Sequence, residues 1–272
     1  RAGRWRLLYA PEQDQASFLH LTGLLFISQM LNLLIPARVG ELARITLLQS
    51  HPPSRTLGAI AVEKLLDLIT LLAFLLVLPL AVGLPSWFAA SRRSFLTLAL
   101  AAFVLSLILF LFKNTFLRWL SRFTRFLPEK WQDKLTRIID QALAGLDVFR
   151  SGWVGVRLQA WSFLIWGWGA LLNYVLFQAF GLNQLPLSAA VFLLLVLQVG
   201  ISVPNVPGKL GVFQVSAILA LSVFDVPKDL ALSYSILLYL VAFGPHILLG
   251  AIFGVRQALN WRSLTEDSPN VP

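Results

Sequence analysis

"NLLIPARVGELARI" occupies residues 32–45 and closes an apolar run that begins near Ser17. Behind its proline, Arg38, Glu41 and Arg44 recur every three residues. Positions three apart are neighbours on a helix, so a helix that starts after Pro36 carries all three charges on one face. Proline is favoured in the first turn of a helix and breaks its interior, and glycine weakens it. The stretch therefore predicts two half-length helices around a break, with Pro36 and Gly40 as the break residues.

The rest of the chain sets the solvent in which that break must exist. Of 272 residues, 57% are hydrophobic and 13% are charged, and the mean hydropathy is +0.75. Soluble domains carry about a quarter charged residues, so the composition predicts an integral membrane protein. The formal net charge of +9 raises nucleic acid as a partner. The Lys and Arg residues lie mainly between apolar runs, however, which is the pattern of an anionic leaflet surface, so membrane lipids and no nucleic acid are the expected partners. The chain has no cysteine, which excludes disulfides, thiol catalysis and cysteine metal sites. It starts at Arg1, and "RAGRWRLLYA" reads as a juxtamembrane segment following an earlier span, so an N-terminal truncation is expected.

A helical span needs about 20 mostly apolar residues. Continuous candidates lie at 57–82, 95–112, 158–180 and 231–255, and two further apolar regions, 17–50 and 187–224, are interrupted. The second interruption, "VPNVPGKLG", places Pro204, Pro207, Gly208 and Gly211 as break residues. Unpaired backbone survives at membrane depth only inside protein or along a wet cavity. Each break is therefore either a re-entrant, cavity-lining element or an interfacial turn between two short spans.

Segment 113–157 holds nine basic residues against four acidic ones and has helical spacing of its apolar residues, as in Phe116, Leu120, Phe123 and Leu127. The positive-inside rule makes it cytoplasmic, as an amphipathic lipid-gathering surface or a plain linker. Counting spans outward from it places Arg4 and Arg6 on the inner side, and the two interrupted regions open from opposite faces, the outline of an inverted repeat. The expected fold is all-α: one polytopic transmembrane helix bundle over 1–272 with two broken or re-entrant hairpins. Its first half is 17–112, its linker 113–157 and its second half 158–255.

Glu63, Lys64 and Asp67 lie inside the span that continues to Leu80, with the two carboxylates four apart on one face. A charge at a helix centre costs about 2.5–3.5 kcal/mol on insertion scales, so six lipid-facing charges would cost on the order of 15–20 kcal/mol. They must pair or face water. Arg38 or Arg44 is expected to pair with Glu63 or Asp67, and incomplete neutralisation would leave arginine donors for a phosphate, which guanidinium groups hold bidentately. The competing reading is that these residues are internal salt bridges, or that Arg38 and Arg44 lie at the interface and snorkel. Lys209, beside the second break, is a headgroup contact or an interfacial lysine.

Other chemistry is sparse. His20, His51 and His246 have no metal-ligand spacing, and there is no GxSxG, Walker loop or Rossmann fingerprint. No metal, cofactor or enzymatic activity is expected. Trp161, Trp166 and Trp168 fit an interfacial or packing belt, and Asn173 and Gln198 fit interhelical hydrogen bonds or a polar cavity.

"NLLIPARVGELARITLL", "AIAVEKLLDLI" and "VPNVPGKLGVFQVSAILAL", in that order, resemble the lysylphosphatidylglycerol synthase transmembrane family, a flippase-like family. The resemblance covers most of the chain. It implies a bacterial or archaeal plasma (inner) membrane, multi-pass protein that moves an anionic phospholipid or a lipid-linked, polyprenyl-phosphate-type headgroup between leaflets. The alternative is a non-transporting subunit that binds such a substrate for a lipid-modifying, glycosyl- or aminoacyl-transferase partner. Carried onto this chain, the motif positions are Asn32, Pro36, Arg38, Gly40, Glu41, Arg44, Glu63, Asp67, Pro204, Pro207, Gly208, Gly211 and Phe213. Gln214 stands where relatives commonly have an acidic residue, and Lys64 where they commonly have arginine. Lysyl transfer in the family's namesake belongs to a separate soluble domain, which residues 1–272 do not contain.

Overall fold

The computed structural model describes residues 1–9, 17–35, 39–48, 53–81, 152–202 and 206–266, with six isolated helical positions between Thr97 and Ile108. Every regular element among these residues is helical. In the first half, α1 (Ala2–Leu8) precedes α2 (Phe18–Leu34), α3 (Val39–Leu47) and α4 (Pro53–Ala81). In the second, α5 (Gly152–Ala179) precedes α6 (Leu187–Ile201), a 3-10 turn (Pro207–Lys209), α7 (Val212–Ser222) and α8 (Lys228–Glu266).

Both breaks fall where the prolines require them. A residue before proline is driven out of the helical region, and Ile35, before Pro36, is extended at φ −112°, ψ 126°. Val206, before Pro207, is extended at φ −101°, ψ 106°. At 1.5 Å per residue, α3 and α7 reach only about 14 and 16 Å, half of a roughly 30 Å hydrocarbon layer. Pro36, Arg38 and Pro204 lie outside the described residues.

Gly40 is not part of the break. It sits in the first turn of α3, where a Cβ would overlap the Ser28 carbonyl of α2 and stand 2.9 Å from Asn32 Cγ. The Gly40 N–H donates to Asn32 Oδ1 at 2.9 Å. Its role is therefore close packing of the two arms, with Asn32 as the acceptor that joins them.

α5 begins at Gly152, six residues before the expected start, so 152–157 belongs to the second half. The single charge there is accommodated because the Arg157 guanidinium lies 5.7 Å from the centre of the Trp153 ring. The rest of the expected linker, 113–151, falls outside the described residues.

Two cores form. One joins α1 to α4, with Trp5, Leu21, Leu24 and Leu66 fully enclosed. The other joins α5 to α8, with Phe177, Leu193, Leu221 and Tyr234 at its centre. Trp166, Ala170 and Leu194, with Leu71 and Phe74, connect them. α8 also packs along α2, and the 3-10 turn packs against α2, so the second break rests on the first hairpin.

Among the described residues, two helices, Gly152–Ala179 and Lys228–Gln257, are long and apolar enough to cross a membrane, and only 11% of the apolar window in the latter is buried. A helix that is apolar all round and largely uncovered is solvated by lipid. Trp168, Val175, Leu240 and Leu248 supply this exposed surface.

Candidate functional site

The charged residues of the first half converge on α4. Glu63 and Asp67, four apart, face the same side, and Glu63 is almost fully enclosed. Glu63 Oε1 accepts from Arg4 Nη2 at 2.7 Å. Glu63 Oε2 accepts from Arg44 Nη1 at 2.8 Å and from Trp5 Nε1 at 2.9 Å. Arg4 is also completely buried and donates through Nη1 to Asp67 Oδ1 at 2.5 Å and to Ser162 Oγ at 2.6 Å. Trp166 Nε1 donates to Asp67 Oδ1 at 3.0 Å. Arg44 donates through Nε to Ser28 Oγ at 2.7 Å, and its guanidinium lies 5.1 Å from the Trp5 ring centre. Five helices meet here: α1, α2, α3, α4 and α5.

The expected pairing of Arg44 with Glu63 is present. Asp67, in contrast, is taken by Arg4, whose side chain is enclosed within the protein. The reason is local: α1 lies against α2 and α5 and delivers its Arg4-Trp5 pair straight onto the two carboxylates. Two guanidinium groups face two carboxylates in ion-pair contact, so among the described residues most arginine donors of this cluster are already engaged. Among the described residues, Nη2 of Arg44 is the one terminal guanidinium nitrogen of this cluster without a hydrogen bond. Arg4 Nε is buried without a partner. Arg1 lies 6.0 Å from the Trp166 ring centre, at the edge of the cluster.

Glu41 turns away from this centre and pairs with Lys64 at 2.7 Å, and the Lys64 side chain is 50% exposed. The two one-residue neighbours on α4 thus do different work: Glu63 is a buried hub and Lys64 a surface tie between α3 and α4. Sequence reasoning missed Arg4, Trp5, Ser28, Ser162 and Trp166. The available signal was the adjacent Arg-Trp pair in α1, which matches an apolar enclosure with a charged acceptor.

The second break is held by aromatic residues. Gly208 is left-handed at φ 66° and so is Lys209 at φ 57°, a conformation that costs a non-glycine residue about 1–2 kcal/mol. Tyr239 Oη donates to the Gly208 carbonyl at 2.7 Å, and Lys209 Nζ lies 5.5 Å from the Phe243 ring centre. Phe213 stands edge-on to both Tyr239 and Phe243 and is buried. Gly211 caps α7, its N–H donating to Gln214 Oε1 at 2.7 Å. Glutamine therefore serves the cap without a negative charge.

Asn173 makes the expected interhelical bonds: Nδ2 donates to the Ala190 carbonyl at 3.2 Å and its own carbonyl accepts from Tyr234 Oη at 3.1 Å. Among the described residues, no group of three His, Cys, Asp or Glu side chains is placed to hold a metal ion.

No curated protein and no solved structure matches the chain. Residues 1–250 match the family described as Lysylphosphatidylglycerol synthase TM region. That match takes in both hairpins, the α4 carboxylates and most of α8. Together with the lipid-exposed helices, it identifies the chain as a membrane protein of the lysylphosphatidylglycerol synthase transmembrane-region family, whose function is lipid-related.

Proposed function

We propose that this protein moves a phosphate-bearing anionic lipid headgroup between leaflets, by transport and without covalent chemistry. The observation that carries the reading is the placement of Arg44. It lies one turn from the end of the short helix that follows the first break, buried, with one nitrogen on Glu63 and another uncommitted among the described residues. A guanidinium in a dry, low-dielectric setting binds a phosphate oxygen far more strongly than in water.

Further support comes from the parallel build of the two halves. Each has a helix, a hairpin broken at a proline and a long helix, and the arms approach at Ser28 and Gly40 in one hairpin and at Gly200 and Ser216 in the other. Paired interrupted helices are the architecture of alternating-access carriers. On this reading the chain is a multi-pass protein of the bacterial or archaeal inner membrane, an inverted repeat with 113–151 cytoplasmic. Arg38, Arg44 and Lys209 contact the headgroup.

The test is leaflet exchange of fluorescent phospholipids in reconstituted vesicles. Wild-type protein should accelerate exchange of an anionic phospholipid over protein-free vesicles, and Arg38→Ala should slow it. Exchange no faster than in protein-free vesicles across anionic and polyprenyl-phosphate lipids refutes the proposal.

A further inference from the structure

We propose that Arg4 is a positioning residue whose charge, by neutralising Asp67 and occupying one oxygen of Glu63, reserves the other oxygen for Arg44 and so sets the pose of α3 and the first break. Among the described residues, Arg4 bonds to Glu63, Asp67 and Ser162. It acts through Glu63, 59 residues away in sequence, and through Asp67.

Three features lead there. First, the acceptors are divided. Oε1 of Glu63 belongs to Arg4, and Oε2 belongs to Arg44 and Trp5. Second, Arg4 is anchored and Arg44 is not anchored to the same degree. Both terminal nitrogens of Arg4 hold carboxylates, one of them also Ser162, whereas among the described residues Arg44 has a single ion pair. Third, among the described residues the ion-paired groups of the cluster are two guanidiniums and two carboxylates, with Arg1 at its edge, and in low dielectric an unmatched charge carries a large penalty. Without Arg4, Arg44 is the one guanidinium among the described residues left in ion-pair contact with these carboxylates, and the charge of Asp67, left with the Trp166 N–H, pulls on the guanidinium that should hold Glu63. The cluster then re-forms around the wrong carboxylate, and α3 shifts with Arg44.

Charge balance gives a test that ordinary loss of packing does not mimic. Arg4→Gln leaves an excess negative charge, whereas Arg4→Gln combined with Asp67→Asn is balanced although it removes two native side chains. Purified protein in lipid nanodiscs is compared for resistance of the folded state to denaturant and, after reconstitution, for leaflet exchange of an anionic fluorescent phospholipid. Arg4→Gln should lower the folded-to-unfolded ratio by about tenfold or more, and the balanced pair should recover most of that loss. Arg4→Gln with Lys64→Gln, which removes an exposed cation instead, should show no recovery. A balanced pair no more stable than Arg4→Gln overturns the inference, as does full stability of Arg4→Gln.

The exchange readout rests on the transport function proposed above, whereas the stability readout does not. Wild-type protein that exchanges no lipid while the stability pattern follows charge balance removes that function and leaves the role of Arg4 standing. Exchange by the wild type, with recovery of stability but not of exchange in the balanced pair, overturns the positioning role and makes Asp67 itself a transport residue.

Discussion

Replacing Glu63 by glutamine isolates the value of a single buried charge, because the side chain keeps its shape and leaves no cavity. The carboxylate accepts three hydrogen bonds on two oxygens, from Arg4, Trp5 and Arg44. An amide offers one oxygen and turns its NH2 toward donors, so whichever way it is placed at least one guanidinium loses its acceptor. The cluster also gains a net positive charge. Breaking a buried pair from one side costs about 3–5 kcal/mol, and that range applies here because Arg4 and Arg44 are both enclosed. The matched control is Lys64→Gln, the next residue on the same helix, whose half-exposed tie to Glu41 is worth about 0–1 kcal/mol. Unfolding in mixed detergent micelles, followed by far-ultraviolet circular dichroism, measures both. A coupling of about 1–3 kcal/mol is expected between Glu63→Gln and Arg44→Gln. If the Glu63 and Lys64 variants lose the same stability, the buried cluster does not hold the first half together and the reasoning fails.

Two further outcomes follow from the breaks. Gly40→Ala forces a methyl group onto the Ser28 carbonyl, so α3 must move away from α2, at about 1–3 kcal/mol; a disulfide probe pair across the two arms should then cross-link more slowly than in wild type, and an unchanged rate contradicts the close approach. Tyr239→Phe removes the bond to the Gly208 carbonyl and should cost about 1 kcal/mol. Amide hydrogen exchange should rise at residues 207–211 and not at α6, whereas a uniform rise shows that Tyr239 only fills space.

The breaks were legible because proline acts locally. Pro36 and Pro207 constrain the residue directly before each, and no tertiary information is needed to place Ile35 and Val206 outside a helix. Arg44 with Glu63 was legible because an apolar setting leaves a buried carboxylate few partners. Arg4 was not, because a basic residue before an apolar run reads equally as a leaflet-surface charge, and only the packing of α1 on α2 and α5 decides between them. Trp166 was hidden by its neighbours: Trp161, Trp166 and Trp168 lie on one apolar helix, and helical spacing alone does not say which faces Asp67. Gly40 was assigned the right segment and the wrong job, since a glycine that weakens a helix and one that admits a neighbouring backbone look the same in sequence.

The sharing of Glu63 between α1 and α3 also orders how the protein is made. Arg4 and Arg44 precede Glu63 and Asp67 in the sequence, so when the carboxylates emerge both cations are already synthesised. α4 becomes cheap to insert only when it meets them, since each isolated charge costs about 2.5–3.5 kcal/mol at a helix centre. Ser162 and Trp166 emerge about a hundred residues later and close the shell around a cluster already neutral. The ion pairs of the cluster thus lie within the first half, and α5 supplies only the neutral Ser162 and Trp166 donors to it.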